Sequence, residues 1–182
     1  MRKTIAGINM TIDGYCDHTA VTPDEEIHQH YTDMLTNGGI ALFGRITYQL
    51  MEFWQPFVTK PSGEKAMDNF ALAIDSIPKL VFSTTLTHLN WQSARLAQHT
   101  IADEVANLKQ QPGKDILVCS PSLIVAMTQL GLIDEYQLCI HPVIAGSGLP
   151  LFKNITDNIP LQLTKTKQFA SGAMLLHYEP KK

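Results

Sequence analysis

Apolar residues in this chain form short unbroken runs, separated by stretches in which they recur every three or four positions. The run at 40–43, bounded by Gly38-Gly39 and Gly44, reads as a short strand buried on both faces, the kind parallel sheets use. Runs at 79–82 and 116–119 have the same character, and 4–12 is largely β-favouring until Asp13-Gly14 stops it. Between the runs the spacing turns helical. Thr22-Pro23-Asp24-Glu25 reads as a capping box with proline at the first helical position, followed by one stripe of Ile27, Tyr31, Met34 and Leu35 up to Asn37-Gly38. Residues 46–53 predict a helix that Pro56 interrupts, 58–65 a surface loop, 66–75 a helix closed by Pro78, and 94–97 a short strand. Thr100 caps a helix whose apolar side is Ile101, Val105 and Leu108, and Ser120-Pro121-Ser122 opens another that ends at Gly131. Beyond Asp134 the period drops to two, with strands expected at 136–140, 161–166 and 173–178. Alternating βα units followed by hairpins predict an α/β fold. Its mixed, mainly parallel sheet carries helices on both faces and a C-terminal antiparallel hairpin.

Length and composition narrow the class without naming a chemistry. A chain of 182 residues, 45% hydrophobic and 17% charged, suits a single domain over 1–182 with one sizeable core. The formal charge of -3, with no Lys/Arg cluster beyond Lys181-Lys182, points away from nucleic acid or an acidic membrane as partner. No stretch reaches the ~18 apolar residues of a membrane span, and no unbroken apolar segment follows Met1, so the cytoplasm is the expected location. Cys16, Cys119 and Cys139 lack CxxC spacing, and two of them fall in predicted strands. All three are expected to be reduced, with no activating partner in sight for Cys16.

Candidate chemistry gathers where strands end. The chain turns at Gly44, which puts Arg45 and Thr47 at the start of a helix just past a strand's carboxyl end. Free N–H groups and a forked cation there make phosphate the natural ligand. Equally, Gly44 could serve only the turn, with Arg45 paired to a surface carboxylate. Open α/β sheets bind ligands outside the carboxyl ends of their strands, and Ser83-Thr84-Thr85 and Ser120-Pro121-Ser122 lie at two more such ends. Three polar segments on one edge fit a nucleotide cofactor with a pyrophosphate and a further phosphate, Arg45 facing the extra charge. The common nucleotide signatures are missing: no GxGxxG follows the first strand, Gly146-Ser147-Gly148 is only a GxG in a loop, and no GxxxxGK[ST] occurs. His28 and His30 fall on different faces of their helix and no HExxH exists, so no metal site is expected. Ser120 before Pro121 is not a nucleophile elbow.

Several segments, in order and over nearly the whole chain, resemble the dihydrofolate reductase-like superfamily, in its branch related to the reductase domain of bifunctional riboflavin-biosynthesis proteins. Asn9-Met10-Thr11-Ile12-Asp13-Gly14-Tyr15 is similar to that family's SLDGY segment, Leu42-Phe43-Gly44-Arg45-Ile46-Thr47-Tyr48 to its LLGRxTYE, and Lys79-Leu80-Val81-Phe82-Ser83 to its KxVxS strand. Asp115-Ile116-Leu117-Val118, Gly131-Leu132-Ile133-Asp134-Glu135-Tyr136, His141-Pro142-Val143-Ile144-Ala145-Gly146-Ser147-Gly148 and Ser171-Gly172-Ala173-Met174-Leu175-Leu176 match further pieces. The resemblance implies a three-layer dihydrofolate reductase-like domain that passes hydride from NADPH to a pterin-like or ribityl-pyrimidine-like substrate. The riboflavin-pathway reduction of 5-amino-6-(5-phosphoribosylamino)uracil is one such step. It also implies a homodimer.

By position, the resemblance puts cofactor phosphates at Gly44, Arg45, Thr47, Ser83 and Thr84, and the pyrophosphate at Ser120, Pro121, Ser122 and Leu123. The nicotinamide would lie near Ala6 and Gly7, with Asp13 and Gly14 beside the substrate. Where folate reductases carry an orienting carboxylate this chain has His28, with Asp24 one turn earlier, and these two are the expected catalytic residues. A histidine there points away from folate itself. Relatives have a Gly-rich turn with a cis peptide where this chain has Ser120-Pro121-Ser122, so Ser120-Pro121 is expected to be cis. Proline also removes an N–H that a pyrophosphate would use. The alternative reading is a non-catalytic nucleotide- or ligand-binding module that kept the fold.

Overall fold

Both faces of the central runs are covered by amphipathic stripes, and this is what assembles the molecule. The structure, a computed structural model, describes residues 1–181. Its strands are β1 (Thr4–Thr11), β2 (Ile40–Gly44), β3 (Lys79–Phe82), β4 (Ala94–Leu96), β5 (Ile116–Val118), β6 (Glu135–His141), β7 (Leu161–Gln168) and β8 (Met174–Pro180). They form one sheet in the order β4-β3-β2-β5-β1-β6-β8-β7. From β4 to β6 every pairing is parallel, and β8 and β7 add an antiparallel hairpin at the edge.

The helices are α1 (Glu25–Asn37), α2 (Arg45–Met51), α3 (Gln55–Thr59), α4 (Lys65–Ser76), α5 (Ile101–Gln110) and α6 (Pro121–Gln129). Side chains of a strand alternate between faces. Ile5, Ala41, Phe43, Val81 and Leu117 therefore pack with Leu35 of α1 and Ile74 of α4, while Ala6, Ile8, Leu42, Leu80 and Val118 pack with Val105 of α5 and Leu123, Ile124 and Met127 of α6. This is the expected α/β arrangement, a three-layer one with a mixed sheet.

Local chemistry moved several boundaries. Helix α1 starts at Glu25, because Asp24 rather than Thr22 is its cap and accepts from Ile27 N–H at 2.8 Å. The same first turn holds the β7–β8 turn, with Glu26 Oε2 accepting from Ala170 N–H at 2.7 Å and Asp24 Oδ2 from Ser171 N–H at 3.3 Å. Pro56 does not end helical structure; after a 3-10 turn at Glu52–Trp54 it lies in the first turn of α3, where its missing N–H costs nothing. No peptide bond among the described residues is cis, which overturns the expectation for Ser120-Pro121. Ser120 holds the extended backbone that a residue before proline prefers, and Pro121 enters α6 directly through a trans bond.

At the amino end of the sheet a cation is buried. Lys79 is 1% exposed, and its Nζ donates to Asp75 O at 3.0 Å, Ile77 O at 2.9 Å and Ser93 Oγ at 2.9 Å while lying 4.5 Å from the centre of the Trp91 ring. Burial pulls this ammonium down to about 8, with Asp75 opposing the shift.

Candidate active site

The carboxyl ends of β3, β2 and β5 are neighbours, so the three polar segments found by sequence come to one edge. The junction of β2 and β5 is tight. Gly44 N–H donates to Ser120 Oγ at 2.9 Å, with Ser120 fully buried, and a Cβ on Gly44 would stand 3.1 Å from Ser122 Oγ. A side chain here would ask the Ser122 hydroxyl to give by a few tenths of an ångström, and the φ of -79° is open to any residue. Arg45 is exposed, and its Nη1 donates only along its own helix, to Gln49 Oε1 at 3.2 Å. Among the described residues it pairs with no carboxylate. Thr47 is half-buried one turn into the same helix.

Ser83 Oγ accepts from Thr85 N–H at 3.1 Å and Leu86 N–H at 2.9 Å, so it shapes the turn after β3 and leaves Thr84 exposed. At α6, Pro121 offers no N–H, and the first intrahelical bond runs from Ile124 N–H to Ser120 O. The N–H groups of Ser122 and Leu123 are the free donors of that helix start. The Leu123 side chain is in the core, as is Ala6, whose place between Val118 and Tyr136 leaves only its backbone for a ligand.

Asp13 and Gly14 do something sequence did not foresee. The Asp13 carboxylate accepts from Thr11 Oγ1 at 2.6 Å, Gly146 N–H at 2.7 Å and Ala145 N–H at 3.1 Å, and these bonds hold its carboxyl down at about 2. Ile12 N–H to Val143 O, Cys16 N–H to Leu149 O and Leu151 N–H to Gly14 O continue the seam. The loops after β1 and β6 are thus stapled together, and the Asp13 carboxylate is part of the staple. Cys16 is buried in it, its Sγ donating to Leu149 O at 3.3 Å, and burial raises the thiol to about 11.

On the α1 face the floor is Gly7. A Cβ there would meet Met34 at 2.9 Å and Tyr31 Cε1 at 3.8 Å, so α1 lies directly on the bare backbone of β1. The Tyr31 hydroxyl is buried without a partner among the described residues, and burial, with the nearby thiols of Cys139 and Cys119, keeps its proton on well above the usual phenol range. His28, one turn earlier, wedges edge-on between Trp54 at 5.9 Å and Phe70 at 6.0 Å. Its Nδ1 is buried without a partner among the described residues, and desolvation lowers its pKa against the pull of Asp24. His28 is a neutral ring in an aromatic cluster. Asp24, the other expected catalytic residue, is committed to capping α1 and to the β7–β8 turn: burial pushes its carboxyl up, and the N–H groups of Ile27 and Ser171 outweigh that and lower it.

Further along the same face, Asn9 Oδ1 lies 2.9 Å from His141 Nε2, with Cys139 Sγ 3.8 Å from the same nitrogen. Sequence reading took Tyr31 as apolar stripe and His141 as motif, and missed the pair. An asparagine in the middle of a strand was the available signal. Two other clefts, of about 520 Å³ beside Arg95, His99 and Glu104 and about 800 Å³ at the amino ends of the strands, are lined by none of the expected site residues.

An α/β sheet with a polar carboxyl edge defines a class of fold that receives ligands outside its strand ends. The chain belongs to the RibD C-terminal domain family, which matches residues 2–175. It is similar, at 34% identity over 97% of this chain and 94% of the other, to the uncharacterized Bacillus subtilis (strain 168) protein YyaP. Among solved structures it superposes on Acinetobacter baumannii RibD with a TM-score of 0.74 at 13% identity, covering 100% of this chain and 59% of that one. A pyrimidine reductase-like protein from Corynebacterium diphtheriae gives 0.63 at 13% identity, over 100% and 92%.

Proposed function

We propose that this protein is an NADPH-dependent reductase of a small pterin-like or ribityl-pyrimidine-like molecule, of the kind reduced in riboflavin biosynthesis. The observation that carries the reading is the meeting of Gly44-Arg45, Ser83-Thr84 and Ser120-Ser122 at three adjacent strand ends. Arg45 and Thr47 would face the additional phosphate, and the N–H groups of Ser122 and Leu123 the pyrophosphate. Gly7 lets Met34 and Tyr31 of α1 lie directly on β1, beside the strand ends. When bound, the nicotinamide supplies the hydride; the protein orients the rings and excludes water.

The second reading, a binding module without turnover, is favoured by one feature: Pro121 and the buried Ser120 hydroxyl withhold two groups from a pyrophosphate. Both readings are tested by titrating the protein with NADPH and with NADH while following Trp54 and Trp91 fluorescence. Micromolar NADPH binding that collapses in Arg45→Ala is expected. Binding of neither nucleotide would sink the reductase reading. NADPH binding with no oxidation by any heterocycle of the family would favour the module.

A further inference from the structure

We propose that the Tyr48 hydroxyl is a positioning group of the cofactor site: it fixes the spacing between Arg45-Thr47 and Ser83-Thr84, and through that spacing the preference for a nucleotide with the additional phosphate. This rests on the reductase reading. Tyr48 lies in α2, three residues after Arg45 and so on the same helical face. It is 1% exposed, and its ring meets that of Trp91 edge-on at 5.6 Å. A phenylalanine would fill the same space. What the hydroxyl adds is a bond between two segments: it accepts from Asn90 N–H at 2.8 Å and, at longer reach, from Trp91 N–H at 3.4 Å. Buried N–H groups outside regular structure need an acceptor of this kind. Asn90 Nδ2 adds an outer clasp, donating to Glu52 Oε1 at 2.6 Å, just past the end of α2.

The segment held in this way is the one that leaves β3 with Ser83 and Thr84. At its start Ser83 Oγ takes the N–H groups of Thr85 and Leu86; at its end Tyr48 takes those of Asn90 and Trp91. Between these points Leu86 and Leu89 pack against the cluster that contains Tyr48 and Trp91. Trp91 Nε1 donates to Asp75 Oδ1 at 2.7 Å, which carries the anchorage on to α4. Residues 83–91 are irregular, so their height beside α2 is set by these bonds rather than by a ladder. The carboxyl edge therefore has two separate fastenings. Ser120 ties β2 to the start of α6, where the pyrophosphate would bind, and Tyr48 ties α2 to 83–91, where the additional phosphate would. Loosening the second should cost the nucleotide that carries the additional phosphate and spare the one that lacks it.

Tyr48→Phe removes the hydroxyl and keeps the ring. NADPH and NADH affinities of the full chain are measured by calorimetry, because Trp91 fluorescence would report the substitution itself. NADPH binding is expected to weaken about five- to tenfold, as for one or two lost hydrogen bonds, and NADH binding by less than about twofold, so that the ratio between them narrows. A merely structural tyrosine would move both alike or neither. Tyr136→Phe is the control: it deletes a buried hydroxyl that meets Thr128 Oγ1 at 2.9 Å beside the amino ends of the strands, and NADPH affinity should hold. Glu52→Ala, which cuts only the exposed Asn90 clasp, should narrow the ratio by a smaller factor and decides the question where Tyr48→Phe melts early. An unchanged ratio, an equal loss of both nucleotides, or the same NADPH loss in Tyr136→Phe overturns the assignment. A wild type that binds NADPH no better than NADH overturns it too. Binding of neither nucleotide by the wild type overturns the reductase reading and this inference with it.

Discussion

Ser120 spends its hydroxyl inside the protein, on the N–H of Gly44, and that single bond ties the ends of β2 and β5 together. Ser120→Ala leaves a buried N–H without an acceptor, so a loss of about 1–3 kcal/mol is expected, read as a lower urea midpoint at unchanged slope. NADPH affinity should fall too, because the edge it would bind is held in register by this bond. Lys79 makes the complementary case at the other end of the sheet. Its folded pKa of about 8 lies below the ordinary 10.5, so between those values the unfolded chain binds more protons and stability rises with pH. Urea midpoints for wild type and Lys79→Met should therefore diverge as pH climbs from 8 towards 10.5, the wild type gaining. Parallel curves would mean that the ammonium titrates as it does in water.

Elements, rather than residues, decide how the rim of the site is built. The loop after β1 is fastened to the loop after β6 by Asp13, whose carboxylate is exposed yet takes three hydrogen bonds. Asp13→Ala should speed hydrogen exchange at the Ala145 and Gly146 amides, with a smaller rise at Ile12, and leave the β1 interior protected. Because the folded carboxyl is depressed to about 2 from 3.8, the staple's contribution is complete above 3.8 and disappears as pH falls through 2. Exchange at those two amides should accelerate over that window in the wild type. On the opposite side, α1 is steered by its first turn, where Asp24 and Glu26 receive the N–H groups of Ser171 and Ala170. The β7–β8 turn is thus tied to the first turn of α1.

At the scale of the molecule, the parallel strands are closed on both faces, whereas β7 is exposed along nearly its whole length and leaves one backbone edge free. Such an edge invites pairing unless it is blunted, and Lys165 and Lys167 blunt it only in part. Light scattering is expected to give a homodimer, about twice 20.2 kDa, and Leu163→Lys, at a position 49% exposed on that strand, to shift it towards monomer. No helix among the described residues is long and apolar enough to cross a membrane.

Periodicity and punctuation by themselves determined the elements, the parallel centre with its antiparallel edge, and the gathering of Gly44-Arg45, Ser83-Thr84 and Ser120-Ser122 on one side. Those features follow from local constraints: which faces must be buried, where glycine and proline stop a segment, and which end of a strand meets its crossover. What only the tertiary structure decided depends on partners far apart in sequence. Asp13, expected beside the substrate, is also bonded to Ala145 and Gly146, and His28, expected as a proton donor, packs between Trp54 and Phe70. Ser120-Pro121 looked cis and is trans because α6 begins at once. Asn9 and His141, 132 positions apart, become a pair only when β1 and β6 lie side by side. A side chain's role is set by what folding brings to it, and for these residues that contact is long-range, invisible to any window along the chain.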